Sequence, residues 1–242
     1  MRKYVTEFIG TFGLVFTVGC AIFSGTPLAP LAIGAALMVL VYAGGHISGG
    51  HYNPAVTLGV FLRGKMSLGE AGPYWGAQFI GAFLAAWLAK FTAHPGLVHT
   101  LSTSGAHAVL AAMFAEFFFT FALVYVVLNV ATSKDQPGNQ FFGLAIGFTV
   151  AAGAFAVGNI SGGAFNPAVA FGAMLMGILN WGNFYIYLIG TLLGAVAAAI
   201  AFAYLNPGDV LEGPLARRPA VPAHAATVTA TPDGAAGGTP TA

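Results

Sequence analysis

A fourteen-residue segment of this chain occurs twice. Residues 46–59 (HISGGHYNPAVTLG) and 159–172 (NISGGAFNPAVAFG) share nine identical positions at a constant offset of 113. An earlier stretch repeats at an offset of 109, Thr6-Glu7-Phe8-Ile9-Gly10-Thr11-Phe12 against Ala115-Glu116-Phe117-Phe118-Phe119-Thr120-Phe121. Self-similarity at a nearly fixed offset marks a duplicated structural unit, so any fold for this chain must accommodate two related halves.

The halves are built from apolar runs. A helix needs about 20 apolar residues to cross a bilayer, and six runs qualify, at roughly 4–24, 29–46, 70–92, 107–131, 140–158 and 182–205. Two further stretches, about 53–62 and 166–176, are too short to span. Each follows a glycine-rich turn and opens with Asn-Pro, a good helix start because proline in the first turn sacrifices no needed donor. They read as half-helices. Each half therefore holds three spans and one half-helix. An odd number of spans gives the halves opposite orientations in the membrane, the pattern of inverted repeats with a site near the midplane.

Charge agrees with this placement. Only 15 of 242 residues carry a formal charge, eight basic and seven acidic, and mean hydropathy is +0.82. At 6% charged residues, against about 25% in a soluble domain, a soluble enzyme and a disordered protein are both excluded. The net charge of +1 excludes a nucleic-acid binder, which needs a basic surface for phosphates. The single cysteine, Cys20, rules out a disulfide framework or a cysteine-based metal site. No nucleophile–base pair or cofactor motif is present, so neither an enzyme nor a bound metal or cofactor is expected.

With an even number of spans and both termini cytoplasmic, Arg2, Lys3, Arg63, Lys65, Lys134, Arg217 and Arg218 all lie inside and only Lys90 lies outside. That is the distribution expected of a membrane protein of the cell (inner) membrane. The first run continues past Cys20 and is interrupted by Glu7, which reads as a span and not as a cleaved signal. Trp75, Trp87, Trp181, Tyr74, Tyr185 and Tyr187 fall near run ends and read as interfacial anchors. From 206 to 242 the chain is rich in Pro, Ala, Thr and Gly without periodicity, and a disordered cytoplasmic tail is expected.

Irregular backbone is tolerated at membrane depth only where it lines an aqueous cavity. Two Asn-Pro-Ala turns meeting at the midplane thus imply a pore. Each half-helix start presents unpaired N–H groups and a partial positive charge, which oppose cations. Asn53 and Asn166 add uncharged amide donors. A water accepting from both must turn its hydrogens outward, which disfavours a proton wire. Passive transport of neutral molecules is the chemistry this arrangement supports.

The paired Asn53-Pro54-Ala55 and Asn166-Pro167-Ala168, each preceded by Ser-Gly-Gly, together with Glu7, Glu116, Gln78, Gly81 and Gly194, resemble the major intrinsic proteins, the aquaporin and aquaglyceroporin channels. The resemblance covers residues 4–205. It implies an all-α membrane protein, an aquaporin-like hourglass of six transmembrane helices and two re-entrant half-helices in an inverted repeat (about 4–92 and 107–205). It also implies a homotetramer in the lipid bilayer with one pore per subunit, conducting water and small neutral solutes.

Family members carry a second constriction built from four positions, which fall here on Ile33, Ala154, Gly163 and Val169. Most relatives place arginine where this chain has Val169, and strict water channels tend to have histidine at Ala154 and an aromatic at Ile33. The replacements give a wider, less polar filter, whose hydrogen bonds must come from backbone carbonyls near 160–164. The second motif is similar to that of plant vacuolar intrinsic proteins, which are associated with water, urea, ammonia and hydrogen peroxide. Their histidine in the second span is missing here. The glycerol facilitators usually have Asp where this chain has Ala170. The expected function is a water channel with some passage of other small solutes. The alternative is a channel mainly for ammonia, urea, glycerol or hydrogen peroxide.

Ionisable groups at membrane depth default to function, and Glu7 and Glu116 could form a proton relay. Pseudo-symmetry and the resemblance favour a supporting role, with each carboxylate accepting backbone N–H bonds from its own re-entrant loop. His46 and His51 flank a glycine turn with no carboxylate or cysteine nearby to complete a metal shell. They read as loop packing, with His46 counted among the supports. His94, His99 and His107 lie in or beside the external loop.

Overall fold

The structure, a computed structural model, describes residues 1–93, 100–210 and 213–216. Eight α-helices account for most of them: α1 (Arg2–Phe23), α2 (Ala29–Ser48), α3 (Pro54–Leu62), α4 (Leu68–Ala93), α5 (Ala106–Thr132), α6 (Phe142–Ser161), α7 (Pro167–Leu175) and α8 (Phe184–Leu205). The six long helices fall on the six apolar runs, and the two nine-residue helices, α3 and α7, fall on the short stretches. Among the described residues, five helices are long and apolar enough to cross a membrane on those grounds alone. The sixth, α4, is 26 residues long, but Glu70, Gln78 and Lys90 dilute it.

Local chemistry sets the boundaries. Ser67 and Glu70 cap the start of α4 reciprocally: the Glu70 amide donates to Ser67 Oγ at 3.3 Å, and the Ser67 amide donates to Glu70 Oε2 at 3.2 Å. The helices α2 and α6 end alike. Gly49 (φ 91°) and Gly162 (φ 90°) are left-handed C-caps, a conformation that glycine adopts without a Cβ penalty. Each turns the chain back into the bundle, toward α3 and α7.

Packing follows the duplication. Helices α1 and α4 pair in the first half and α5 and α8 in the second, while α2 packs on α6 across the seam. Small residues permit each crossing. A Cβ on Gly81 would lie 2.7 Å from the Phe8 carbonyl, and one on its repeat mate Gly194 2.5 Å from the Phe117 carbonyl. At the seam, Gly34 and Gly147 face one another's carbonyls, with no room for a side chain on either. Backbones that approach this closely pack by dispersion along their whole length, the favoured mode where lipid removes the hydrophobic drive between helices.

Not every aromatic near a run end is an anchor. Trp87, Trp181 and Tyr185 are exposed, as interfacial side chains should be, but Tyr74 and Tyr187 are buried. Their hydroxyls donate to the Ser48 carbonyl (2.8 Å) and the Ser161 carbonyl (2.6 Å), the last residues of α2 and α6.

The segment after α8 also departs from expectation. Residues 211–212 and 217–242 lie outside the described residues, but 206–210 pack against Arg63, Ser133 and Lys134, with Lys134 Nζ donating to the Gly208 carbonyl (2.7 Å). Val210 is buried, and Asp209 is buried among cations. Its carboxylate accepts from Ser133 Oγ (2.7 Å) and the Lys134 amide (3.2 Å) and stands 3.8 Å from the Arg63 guanidinium. Arg63, which ends α3, donates from Nη1 to the Asp209 carbonyl (2.6 Å), from Nε to Thr132 Oγ1 (2.8 Å) and from Nη2 to the Thr132 carbonyl (2.9 Å). Its guanidinium also lies 5.0 Å above the Phe202 ring. One arginine therefore ties α3, α5, α8 and the segment beyond α8 together.

Removing Asp209 leaves Arg63 buried without its counter-ion. Asp209→Ala is expected to cost about 3 kcal/mol, the low end for a broken buried pair because the segment 206–210 can lift and rewet the guanidinium. Burial pushes the Asp209 carboxyl up, but the Ser133 hydroxyl, the Lys134 amide and the charges of Arg63 and Lys134 outweigh it and hold the group below its ordinary value. A depressed carboxylate stabilises above its ordinary value and loses that contribution as pH falls through the folded one. The gap in apparent melting temperature between wild type and Asp209→Asn should therefore be constant from about pH 8 to 5 and shrink below about pH 4. A gap that grows on acidification contradicts the assignment.

Candidate functional site

The starts of α3 and α7 meet in the middle of the bundle. Asn53 and Asn166 are the N-caps, with extended backbones (φ −156° and −157°). Asn53 Oδ1 accepts the Ala55 amide at 2.8 Å; Asn166 Oδ1 accepts the Ala168 amide at 2.9 Å and the Val169 amide at 3.3 Å. The caps also cross. Asn53 Nδ2 donates to the Phe165 carbonyl (2.9 Å) and Asn166 Nδ2 to the Tyr52 carbonyl (2.8 Å). Each amide nitrogen carries two hydrogens, so each asparagine keeps one after locking the half-helices together.

The loops leading into these caps are strained and must be held. Tyr52 (φ 48°) and Phe165 (φ 49°) adopt the left-handed region that side chains disfavour. The fully buried Glu7 and Glu116 supply the restraint. Glu7 Oε1 accepts Ser48 Oγ (2.7 Å) and the His51 amide (2.9 Å), and its Oε2 accepts the Tyr52 amide (2.7 Å) and Gln78 Nε2 (2.8 Å). Glu116 Oε1 accepts Ser161 Oγ (2.7 Å) and the Ala164 amide (3.0 Å), and its Oε2 accepts the Phe165 amide (2.7 Å). Two carboxylates thus satisfy four backbone donors that have no water to turn to.

The halves differ in one respect. His51 Nδ1 lies 3.1 Å from Thr57 Oγ1, which donates to the Asn53 carbonyl (3.1 Å) and accepts Gln78 Nε2 (3.0 Å). The corresponding positions in the second half, Ala164, Ala170 and Thr191, cannot reproduce this cluster. His46, expected among the loop supports, is not one of them. It lies exposed on the last turn of α2, and the histidine that braces the loop is His51.

A cavity of about 620 Å³ runs from the end of the bundle away from the basic loops to the caps. Ile33, Ala154, Gly163 and Val169 all line it, as do Asn53 and Asn166. Gly163 (φ 64°) lies against Ala154, whose Cα is 3.2 Å from where a Cβ on Gly163 would stand. Sequence reasoning did not find two leucines that also line the cavity, Leu101 and Leu179. The Leu101 amide donates to the Ile178 carbonyl (2.9 Å) and the Asn180 amide to the Leu101 carbonyl (3.1 Å), so the long loop is stitched to the end of α7. The pattern gave no signal for this contact between distant loops. A second cavity, about 430 Å³, opens at the basic end and is lined by Lys3, His46, Lys65, Glu70 and Thr132 among others.

Substituting Glu7 by alanine orphans the His51 and Tyr52 amides and the Gln78 side chain, at about 1–3 kcal/mol for each buried donor. Glu7→Ala is expected to lose most of its monodisperse peak in size-exclusion chromatography and not to acquire proton coupling. A wild-type elution profile and water flux would contradict the bracing role.

Comparison with known proteins places these features in context. Residues 1–202 match the Major intrinsic protein (MIP) family. The chain is 38% identical over 216 residues to Aquaporin TIP1-2 of Zea mays, covering 83% of this chain and 84% of that protein. It is also 38% identical over 217 residues to Glycerol uptake facilitator protein-like 6 of Lactiplantibacillus plantarum, covering 86% of this chain and all of that one. The solved aquaglyceroporin of Plasmodium falciparum superposes with a TM-score of 0.71 at 24% identity, over 84% of this chain and 94% of that one, a likeness of fold.

Proposed function

The chain belongs to the major intrinsic protein family, and on that premise we propose that it is a passive channel for water and other small uncharged solutes. The observation that carries this reading is the crossed pair of asparagine caps beside the long cavity. Two helix N-termini and two spare amide hydrogens, on Asn53 and Asn166, converge on one point of a largely apolar passage. A solute must accept hydrogen bonds there and cannot be a cation, since both half-helix starts carry positive partial charge. A water held by both donors presents its hydrogens outward and interrupts a proton wire.

The outer constriction is assigned to Ile33, Ala154, Gly163 and Val169. That all four line the same cavity supports the assignment. Without arginine at 169 the filter has neither a fixed charge nor a five-donor fork, and its selectivity rests on width and on backbone carbonyls. It therefore passes uncharged solutes larger than water more freely than a filter carrying that arginine. The outward-facing aromatics, among them Phe114, Phe118 and Trp87, suit a lipid bilayer and a homotetramer with one conduit per subunit. The basic end is assigned to the cytoplasm, with both termini there.

In proteoliposomes the protein is expected to speed osmotic shrinkage with a low activation energy and no dependence on ion gradients. Rates equal to those of empty liposomes reject the channel. Val169→Arg should lower urea and glycerol permeability relative to water. A solute profile unchanged by that substitution rejects the filter assignment, and a profile in which urea or ammonia outruns water favours a channel mainly for those solutes.

A further inference from the structure

The conduit comprises two cavities, the larger of about 620 Å³ and the smaller, at the basic end, of about 430 Å³. Among the described residues only two side chains line both: His51, on the loop before α3, and Val127, on α5. The cavities therefore adjoin at these two residues. Resting on the channel reading above, we propose that His51 and Val127 form a second size filter on the basic side of the asparagine caps, and that this neck sets the largest solute the channel passes.

The internal repeat supplies the argument. The mate of His51 is Ala164, at the 113-residue offset, and the mate of Val127 is Val18, at the 109-residue offset. Ala164 and Val18 both line the larger cavity and divide nothing. The two halves thus carry the same valine, accompanied in the cavity lining by a methyl group in one half and by an imidazole in the other. The half with the imidazole is where the passage divides.

A side chain filters by size only if it cannot swing aside. Thr57 has one hydroxyl hydrogen; with it directed to the Asn53 carbonyl (3.1 Å), the 3.1 Å contact with His51 Nδ1 is completed by a hydrogen on Nδ1. Gln78 Nε2 donates to the same hydroxyl (3.0 Å) and to Glu7 (2.8 Å). The ring also lies against Tyr74, with centroids 5.2 Å apart. The imidazole is thus fixed at one edge by a chain of bonds ending on Glu7, and Thr57 and Gln78 act as positioning residues. Its unbonded Nε2 remains an acceptor for a passing solute. Val127, the other side chain that lines both cavities, is a β-branched residue on α5 with essentially one rotamer. The outer constriction also carries β-branched side chains, Ile33 on α2 and Val169 on α7, but it has no polar ring braced by hydrogen bonds as His51 is.

The test compares permeability ratios in proteoliposomes by stopped-flow light scattering. Val127→Ala should raise the glycerol-to-water ratio at least fivefold, and Val127→Ile should lower it. Ile33→Ala, at the outer constriction, should change it less than twofold. If Ile33→Ala moves the ratio as much as Val127→Ala does, or if Val127→Ala does not move it, the neck is not the limiting filter. Should Val127→Ala fail to fold, the Val127→Ile ratio decides alone, and no decrease overturns the proposal. Absence of water flux in the wild type is a different failure, that of the channel reading itself.

Discussion

The structure depends on carboxylates that hold unpaired backbone amides at membrane depth. A chain that enters a bilayer, turns and leaves on the same side exposes N–H groups where no water can reach them, and each costs several kcal/mol if left unmet. Glu7 and Glu116 take up four such amides between them, at 2.7–3.0 Å. The same bonds stabilise the left-handed residues Tyr52 and Phe165, whose carbonyls receive the opposing asparagines. The centre of the conduit is thus an indirect product of two buried carboxyl groups, each of which would be costly without its full set of donors.

Duplication explains why this arrangement is economical. One solution to the problem of a re-entrant loop, written twice in opposite orientations, gives two half-helices that cap one another. It also gives close helix crossings at equivalent places, Gly81 with Phe8 and Gly194 with Phe117. The departures from symmetry are then informative. Thr57, Gln78 and His51 form a hydrogen-bonded cluster, while Ala170, Thr191 and Ala164 form none, so the two sides of the caps are chemically unequal although their backbones are alike.

The parts of the fold that follow from local chemistry were legible in the sequence. Helix ends at the six long runs agree within three residues because apolar length acts locally, and the two half-helices begin at their Asn-Pro pairs for the same reason. What escaped depends on contacts between distant segments. Tyr74 and Tyr187 look like interfacial aromatics but are buried donors to the ends of α2 and α6, 26 residues away in each case. Arg63 and Asp209 are 146 residues apart, and Asp209 stands at the head of a stretch whose composition reads as tail. The two histidines of the first repeat are equivalent by eye, yet only His51 turns inward, where its ring meets the Thr57 hydroxyl six residues on. Composition speaks to the environment a segment prefers and is silent on the partner it finds.

The arginine pair-up at the basic end gives the charge count a second meaning. Few charges are available, and those within the bundle are spent on architecture: Glu7 and Glu116 on the loops, and Arg63 with Asp209 on the far end of α3. Because α3 begins at Asn53 and ends at Arg63, one short helix is held at both termini. Its start is held by the crossed caps and its end by a segment that lies beyond the last long helix. A nine-residue helix is marginal alone, and these two attachments add to its packing against α4, α5 and α8. A contact at the membrane edge and the crossed caps at the midplane are thus joined by a single short helix, so that the residues directly after α8 brace one of the two half-helices.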